Sequence, residues 1–331
     1  MASPYVELRA RSAFSFLEGA SAPEELAESA AALGYDAIAL GDRDGVYGAP
    51  RFYQAARQSG LRAMIGAELS LDNSSFGDGQ AAAEPARLYV LVPDRERYKN
   101  LCRLITASKL RVIGRNTDGS PKYHGKGESR VSLEDLERFG HGMIALAGTV
   151  TSPLAHLMAC RQDPRPLCER LRSIFGKDHL YIDLQRHFDP EEERLNRKFI
   201  ALADACRIPL VATNGACFSR WPGQGIDERA LLDVMTCIRL GTTLEGAGRA
   251  LWINNERHLN APLEMVELFR DQPRVIAATR EIAERCMFTL QDLGYRFPDY
   301  PLPSDETPDS YLRALTMAGA RERWGVPDQK T

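Results

Sequence analysis

Arg9 and Arg11 stand two residues apart in Glu7-Leu8-Arg9-Ala10-Arg11-Ser12, Arg43 sits between two aspartates in Gly41-Asp42-Arg43-Asp44-Gly45, and Arg87 directly precedes the apolar run Leu88 to Val92. All four lie beside short apolar segments, so a fold that aligns those segments gathers four guanidiniums at one rim. A guanidinium stays protonated, offers only donors in a planar fork, and repels a metal cation, whereas an imidazole can bind one through a neutral nitrogen. Its chemistry is to pair with carboxylates or to hold phosphate. Structural salt bridges, an anion or nucleic-acid phosphate site, and scattered surface arginines are therefore the three readings of the cluster. Glu18 and Glu68 are the acids placed to serve as its partners.

The elements that must position these residues are short and apolar: Tyr5 to Leu8, Ala37 to Leu40, Ala63 to Gly66, Leu88 to Val92, Met143 to Leu146, Leu180 to Leu184 and Leu210 to Thr213. Such runs predict a parallel sheet covered on both faces. Helices alternate with them. Ser21-Ala22-Pro23-Glu24-Glu25 offers an N-cap, an early proline and first-turn acids ahead of a helix that ends at Gly34. Further helices are expected over Arg51 to Ser59, over Arg95 to Lys109 with Asp94 as cap, and over Pro190 to Ala205, which opens on three glutamates. Seven strands with helical crossovers predict an α/β fold, a distorted seven-stranded βα barrel with one unit fewer than the usual eight. An open doubly wound sheet is the structural rival.

The barrel is expected over residues 1–225. A helical connector follows over 226–297, with helices at Asp227 to Arg239, Pro262 to Arg270 and Pro273 to Cys286, Gly225-Ile226-Asp227 being at most a helix start. Residues 298–331 hold a proline-rich linker, Pro298 to Pro303, and a last helix, Asp309 to Trp324. Two insertions, Leu71 to Pro85 and Arg111 to Arg130, are rich in glycine, serine and charge and read as mobile loops.

Composition excludes more than it selects. With 331 residues, 44% hydrophobic, a sizeable core is possible, and a net charge of -3 without a long charge run leaves any basic function to a local patch. No stretch approaches the ~18 apolar residues of a membrane span and the N-terminus lacks signal-peptide character, so a cytoplasmic location and no membrane partner are expected. The seven cysteines are odd in number and lack a Cys-x-x-Cys pair, which favours reduced thiols. His124, His141, His156, His179 and His258 show no ligand spacing, and His187 reads equally as a loop hydrogen-bonder or a catalytic base.

In a βα barrel the chemistry follows the C-terminal ends of the strands. That rule collects Arg9, Arg11 and Glu18 after the first strand, Asp42, Arg43 and Asp44 after the second, and Glu68 after the third. Thr149 follows the fifth, Gln185, Arg186 and His187 the sixth, and Gly215, Cys217 and Phe218 the seventh. At these residues the chain resembles a family. Phe14 to Ser21, Met64 to Glu68, Tyr98 to Ile105 and Val211 to Asn214 are similar to the polymerase-and-histidinol-phosphatase (PHP) domain that opens bacterial DNA polymerase III alpha subunits. Asp233 to Arg239, Glu256 to Leu259 and Glu281 to Phe288 resemble the error-prone branch of that C-family of polymerases.

The resemblance implies nine metal-ligand positions around a trinuclear site. The opening His-x-His pair falls on Arg9 and Arg11, the next carboxylate on Glu18, and the histidine after Asp42 on Arg43. The strand-three carboxylate is Glu68, a further histidine falls on Arg87, a ligand such as cysteine on Thr149, and the closing Asp-x-His on Gly215 and Cys217. Guanidiniums cannot supply a metal's donors, so these positions are expected to be a vestigial site with no catalytic residue, no metal and no cofactor in this chain. Arginines standing in for the cations as partners of Glu18 and Glu68 are the expected replacement. Cys217 reads as a small buried hydrophobe.

By the same resemblance the chain is an expected scaffold within an error-prone, damage-bypass polymerase whose palm, with its catalytic aspartates and magnesium, lies beyond it. The remainder of that polymerase, DNA, the sliding clamp and accessory mutagenesis proteins are the implied partners. Two alternatives stand beside this: a metal-dependent phosphoesterase or 3'-5' exonuclease, and a phosphate or nucleic-acid binding module built on Arg9, Arg11, Arg43 and Arg186.

Overall fold

A computed structural model describes residues 3–76, 84–125, 127–219, 227–293 and 300–325. Among the described residues nine strands follow in chain order: β1 (Glu7–Ala10), β2 (Ala37–Arg43), β3 (Arg62–Ser70), β4 (Arg87–Leu91), β5 (Val112–Arg115), β6 (Pro121–Tyr123), β7 (Ile144–Leu146), β8 (Leu180–Leu184) and β9 (Leu210–Ala212). Seven form one sheet in the order β1-β2-β3-β4-β7-β8-β9, and β5 pairs only with β6. The seven expected strands are these seven, displaced by a few residues at their ends.

One inner cluster draws buried side chains from along the whole sheet, among them Leu8, Ala37, Ala39, Met64, Tyr89, Leu91, Ile144, Leu146, Tyr181 and Val211. Residues from both edges of the sheet can share a cluster only if the sheet curls on itself, which sets the open doubly wound rival aside. The two edge strands, β1 and β9, are not ladder partners. The helix Pro273–Arg285 packs against both and adds Ala278, Ile282 and Ala283 to the inner cluster. An uncovered strand edge is an aggregation liability, and this helix covers two. The opposite face of the sheet packs on the surrounding helices through residues such as Leu26, Phe52, Leu104, Leu171 and Phe199.

The parallel-sheet expectation needs correction at one strand. β4 is antiparallel to both β3 and β7, while the remaining pairs are parallel. The Leu71 N–H donates to the Ala86 carbonyl at 2.8 Å, so the insertion between β3 and β4 is a long hairpin connection rather than a helical crossover. Reversal has a consequence for the site. Arg87 opens its strand in sequence, yet it reaches the rim where the other strands end, in register with Ser70.

In the second insertion the described residues 112–123 hold regular structure rather than a loop. β5 and β6 form an exposed antiparallel hairpin, turned by a bond from Asn116 N–H to the Ser120 carbonyl at 2.9 Å. At the first helix, Pro23–Ala32, the cap position belongs to Ala22 and not Ser21. The Ser21 hydroxyl instead donates to Glu228 at 2.7 Å. Asp94 caps its helix as expected, accepting from the Arg97 N–H.

The chain divides into two compact units, 1–292 and 293–331. The helices Glu228–Leu240, Pro262–Leu268 and Pro273–Arg285, expected as a connector, lie in the first. The second carries the helix Pro308–Trp324, capped by Thr307 and without a buried residue. The expected boundaries at 225–226 and 297–298, the Gly225-Ile226 helix start and Pro298-Asp299 of the linker lie outside the described residues. No described helix is long and apolar enough to cross a membrane.

Candidate functional site: a cage of guanidiniums and carboxylates

The ladder between β1 and β2 slips its register between Glu7 and Ala10. An irregularity of this kind re-aims side chains, and it accounts for a change of direction along β1. Leu8 joins the inner apolar cluster, yet Arg9 also reaches the interior, where its guanidinium meets Glu68 at 2.7 Å and Asp183 at 2.8 Å. Arg9 is only 2% exposed, one of the largest fully buried side chains of the protein. Its Cζ lies 5.1 Å from the centre of the Tyr89 ring. That ring needs glycine at 41, because a Cβ there would stand 2.3 Å from ring atoms.

Three more guanidiniums complete the cage. Arg87 grips Glu18 with both terminal nitrogens, at 2.6 and 2.8 Å, and touches Glu68 at 3.3 Å. Arg11 bridges the same two acids, Glu18 at 3.3 Å and Glu68 at 3.1 Å. Arg43 donates to Glu18 at 2.5 Å, and its Nε reaches the Ser70 hydroxyl at 3.3 Å. The sequence thus named Arg9, Arg11, Arg43, Arg87, Glu18 and Glu68, and the fold brings all six into one ion network.

Burial alone would raise the Glu18 and Glu68 pKa values. The guanidiniums outweigh it, Arg87, Arg11 and Arg43 around Glu18 and Arg11, Arg9 and Arg87 around Glu68, and hold both carboxyls below the usual glutamate range. Burial lowers the arginine values, but Asp183 and Glu68 push Arg9 upward, and Glu68 with Glu18 does the same for Arg11 and Arg87. Arg9, Arg11 and Arg87 remain cations.

Sequence reasoning missed Asp183 and Glu7. Asp183, fully buried, accepts from Arg9, from the Gly148 N–H at 2.6 Å and from the Thr213 hydroxyl at 3.2 Å. A lone charge inside Leu-Tyr-Ile-Asp-Leu was the available signal. Glu7 joins the sheet edges at the rim, accepting from Asn214 N–H at 2.9 Å, Gly215 N–H at 3.3 Å and the Tyr5 hydroxyl at 2.6 Å. Burial raises its pKa, and these hydrogen bonds oppose the rise.

Of the other candidates only Asp44 touches the cage, 3.5 Å from the Arg43 Nε. Asp42 accepts from the Ser12 N–H and from the hydroxyls of Ser12 and Ser15, so it fixes the loop after β1. Asp44 does the same for Ser70 through its N–H and hydroxyl, each at 2.7 Å. Thr149 and Gly215 have positive φ, 76° and 66°. Cys217 is buried, and its thiol faces the Gly215 carbonyl at 3.4 Å. Arg186 does not join the other arginines. It binds Asp271 at 2.5 and 2.8 Å and lies over the Phe269 ring. His187 is a buried hydrogen-bonder, with Nδ1 2.9 Å from Glu192 and Nε2 2.8 Å from the Asn214 carbonyl.

A curled α/β sheet with an ion cluster at one rim, the order of its motifs and the match of residues 7–187 to the PHP domain place this chain in the PHP domain family. Error-prone DNA polymerases are among its relatives. The chain is 36% identical over 330 residues to that of Mycolicibacterium paratuberculosis, 36% over 326 residues to that of Mycobacterium tuberculosis (strain H37Rv) and 34% over 324 residues to that of Pseudomonas syringae pv. syringae. Each alignment takes in 98% of this chain and 28% of the relative, so the chain spans little more than a quarter of their length.

Two solved structures align with 67% of the chain. One is an amidohydrolase from Chromobacterium violaceum with bound sulfate and no metal, at 17% identity, a TM-score of 0.42 and 90% coverage of that chain. The other, from Bifidobacterium adolescentis, is assigned as a metal-dependent phosphoesterase, at 16% identity, a TM-score of 0.43 and 91% coverage.

Proposed function

We propose that this chain is the PHP portion of an error-prone DNA polymerase and serves it as a catalytically inert scaffold. The observation that carries the reading is the cage itself. At positions where the family resemblance puts metal-binding imidazoles, Arg9, Arg11, Arg43 and Arg87 place donors, and they engage the oxygens of Glu18 and Glu68 at 2.5–3.3 Å. A divalent metal needs those lone pairs for itself and cannot share the space with four cations. The residues present do not fit a metal cluster. The phosphoesterase alternative has the fold without the donors.

In this reading the whole polymerase adds deoxynucleotides at a palm that holds magnesium, in the cytoplasm, during mutagenic repair and damage bypass. The remainder of the polymerase is the direct partner of this chain. DNA, the sliding clamp and accessory mutagenesis proteins are reached through it. The test is elemental analysis of the purified chain after growth in metal-supplemented medium. Well under one equivalent of zinc, manganese or iron is expected. Stoichiometric metal that a chelator removes with loss of phosphoesterase activity would overturn the inert-scaffold reading.

A further inference from the structure

The hairpin β5–β6 takes no part in building the barrel. It lies outside the large sheet, every residue of both strands is exposed, and none of them joins a buried cluster. We propose that this hairpin is a contact surface for single-stranded nucleic acid, with Arg115 and Lys122 on the phosphates and Tyr123 stacking on a base. None of these residues belongs to the ion cage. The proposal does not rest on the scaffold reading, since a catalytically active domain could carry the same ribbon.

The segment is opposite in charge to the chain around it. From Lys109 to Arg130 there are six lysines and arginines against Asp118 and Glu128, a net charge of +4 (six minus two) in a protein of net charge -3. At the base of the hairpin these cations are already used. Lys109 holds its Nζ 4.6 Å from the centre of the Tyr47 ring, Arg111 pairs with Asp135, and Arg130 donates to the Ser129 carbonyl at 2.8 Å. Such contacts tie the ribbon to the body of the domain. Farther out, Arg115 donates to the Gly119 carbonyl at 2.8 Å, a neutral partner that orders the side chain without cancelling its charge. Lys122 follows on the facing strand. Asp118, the acid of the tip, is engaged by the N–H and hydroxyl of Ser120. What the ribbon presents outward is therefore a local positive field, which draws phosphate backbones.

Charge alone would suit any polyanion, and the surface of the ribbon narrows the class. Tyr123 is 47% exposed, and Val112, its cross-strand partner, is 55% exposed. An exposed aromatic ring among cations is a platform on which an unpaired base stacks. Lys122 is in register with Gly114, and a Cβ at 114 would meet nothing within 4 Å. The strand is open there, as at sites where another backbone approaches closely. A duplex offers phosphates but keeps its base faces stacked inside, so it uses the cations and not the ring. An unpaired strand uses both.

Fluorescence anisotropy of a labelled oligothymidylate, titrated with the 331-residue chain at two salt concentrations, tests the surface. Saturable binding is expected, and its logarithm should fall with that of the salt concentration by about 0.7 for each phosphate neutralised. Arg115→Glu with Lys122→Glu should weaken binding about tenfold or more and flatten that slope by about 1.4, because two ionic contacts are lost. Tyr123→Ala should weaken it about fivefold at both salt concentrations and leave the slope unchanged, as loss of stacking does. All three residues are exposed, so the melting temperatures should match the parent. Arg197→Glu with Lys198→Glu makes the same charge change at exposed positions of the helix Pro190–Cys206 and should bind as the parent does. No saturable binding at low salt, an equal loss in that control, or full affinity in Tyr123→Ala overturns the proposal. So does a blunt duplex that binds as tightly as the single strand, or polyglutamate that displaces the strand as well as unlabelled oligothymidylate does.

Discussion

At the scale of single residues, the cage solves a charge problem. Glu18, Glu68 and Asp183 are all less than 9% exposed, and an ionised carboxylate in such a place needs a positive partner close by. Each has at least one guanidinium within 2.8 Å. Removing one member strands the others, which costs about 3–5 kcal/mol for a buried pair. Glu68→Ala should therefore lower stability by about that much, and Arg9→Ala with Arg11→Ala should destabilise the domain more than it changes affinity for single-stranded DNA. Denaturant melts of parent and variants check the first, and an unchanged midpoint would remove the cage as a source of stability. Melts beside DNA titrations at two salt concentrations check the second.

The sign with pH follows from the depressed folded pKa values of Glu18 and Glu68. Their stabilisation is complete above the unfolded glutamate value of about 4.3 and declines as pH falls toward the folded values. The gap between parent and Glu68→Ala should thus be constant from pH 7 to 5 and shrink steadily from pH 4 to 3. The members of this cage were legible from residue type and spacing, because arginine beside a strand end is a local signal. Asp183 was not, since one acid in an apolar strand reads the same whether it faces an interior or water.

At the scale of elements, the strand count was legible because short apolar runs bounded by capped helices leave few alternatives. Strand direction was not. Direction at β4 is set by whether the chain between Leu71 and Ala86 crosses over or turns back, and glycine-rich, charged sequence supports either course. The reversal is what brings Arg87 to Glu18. The helix Pro273–Arg285 was legible as a helix, but its place against β1 and β9 was not, because an amphipathic pattern names a buried face without naming what buries it. Ile282 is fully buried in the inner cluster that closes those edges. Ile282→Ala should cost about 2–5 kcal/mol, a core value and not that of a peripheral connector. A loss under about 0.5 kcal/mol in urea melts would show that the helix is only a surface appendage.

At the scale of the whole molecule, stability is concentrated in the first unit. The core residues lie in it, together with the ion cage and the helix that covers the sheet edges. The helix Pro308–Trp324 has good local credentials, a Thr307 cap accepting from the Ser310 N–H at 3.2 Å and a proline in its first turn, yet it buries no side chain. Its exposed Leu312, Leu315 and Trp324 contribute nothing to a core. A helix of this length held only by its own hydrogen bonds is marginal in water. A shortened chain ending at residue 292 should therefore unfold with the same urea midpoint as the 331-residue chain, within about 0.5 kcal/mol. Amide exchange in 308–324 of the longer chain should be fast while the sheet stays protected. A shortened chain that melts several kcal/mol below the parent would mean that the second unit supports the first, and the division of stability drawn from burial would fall.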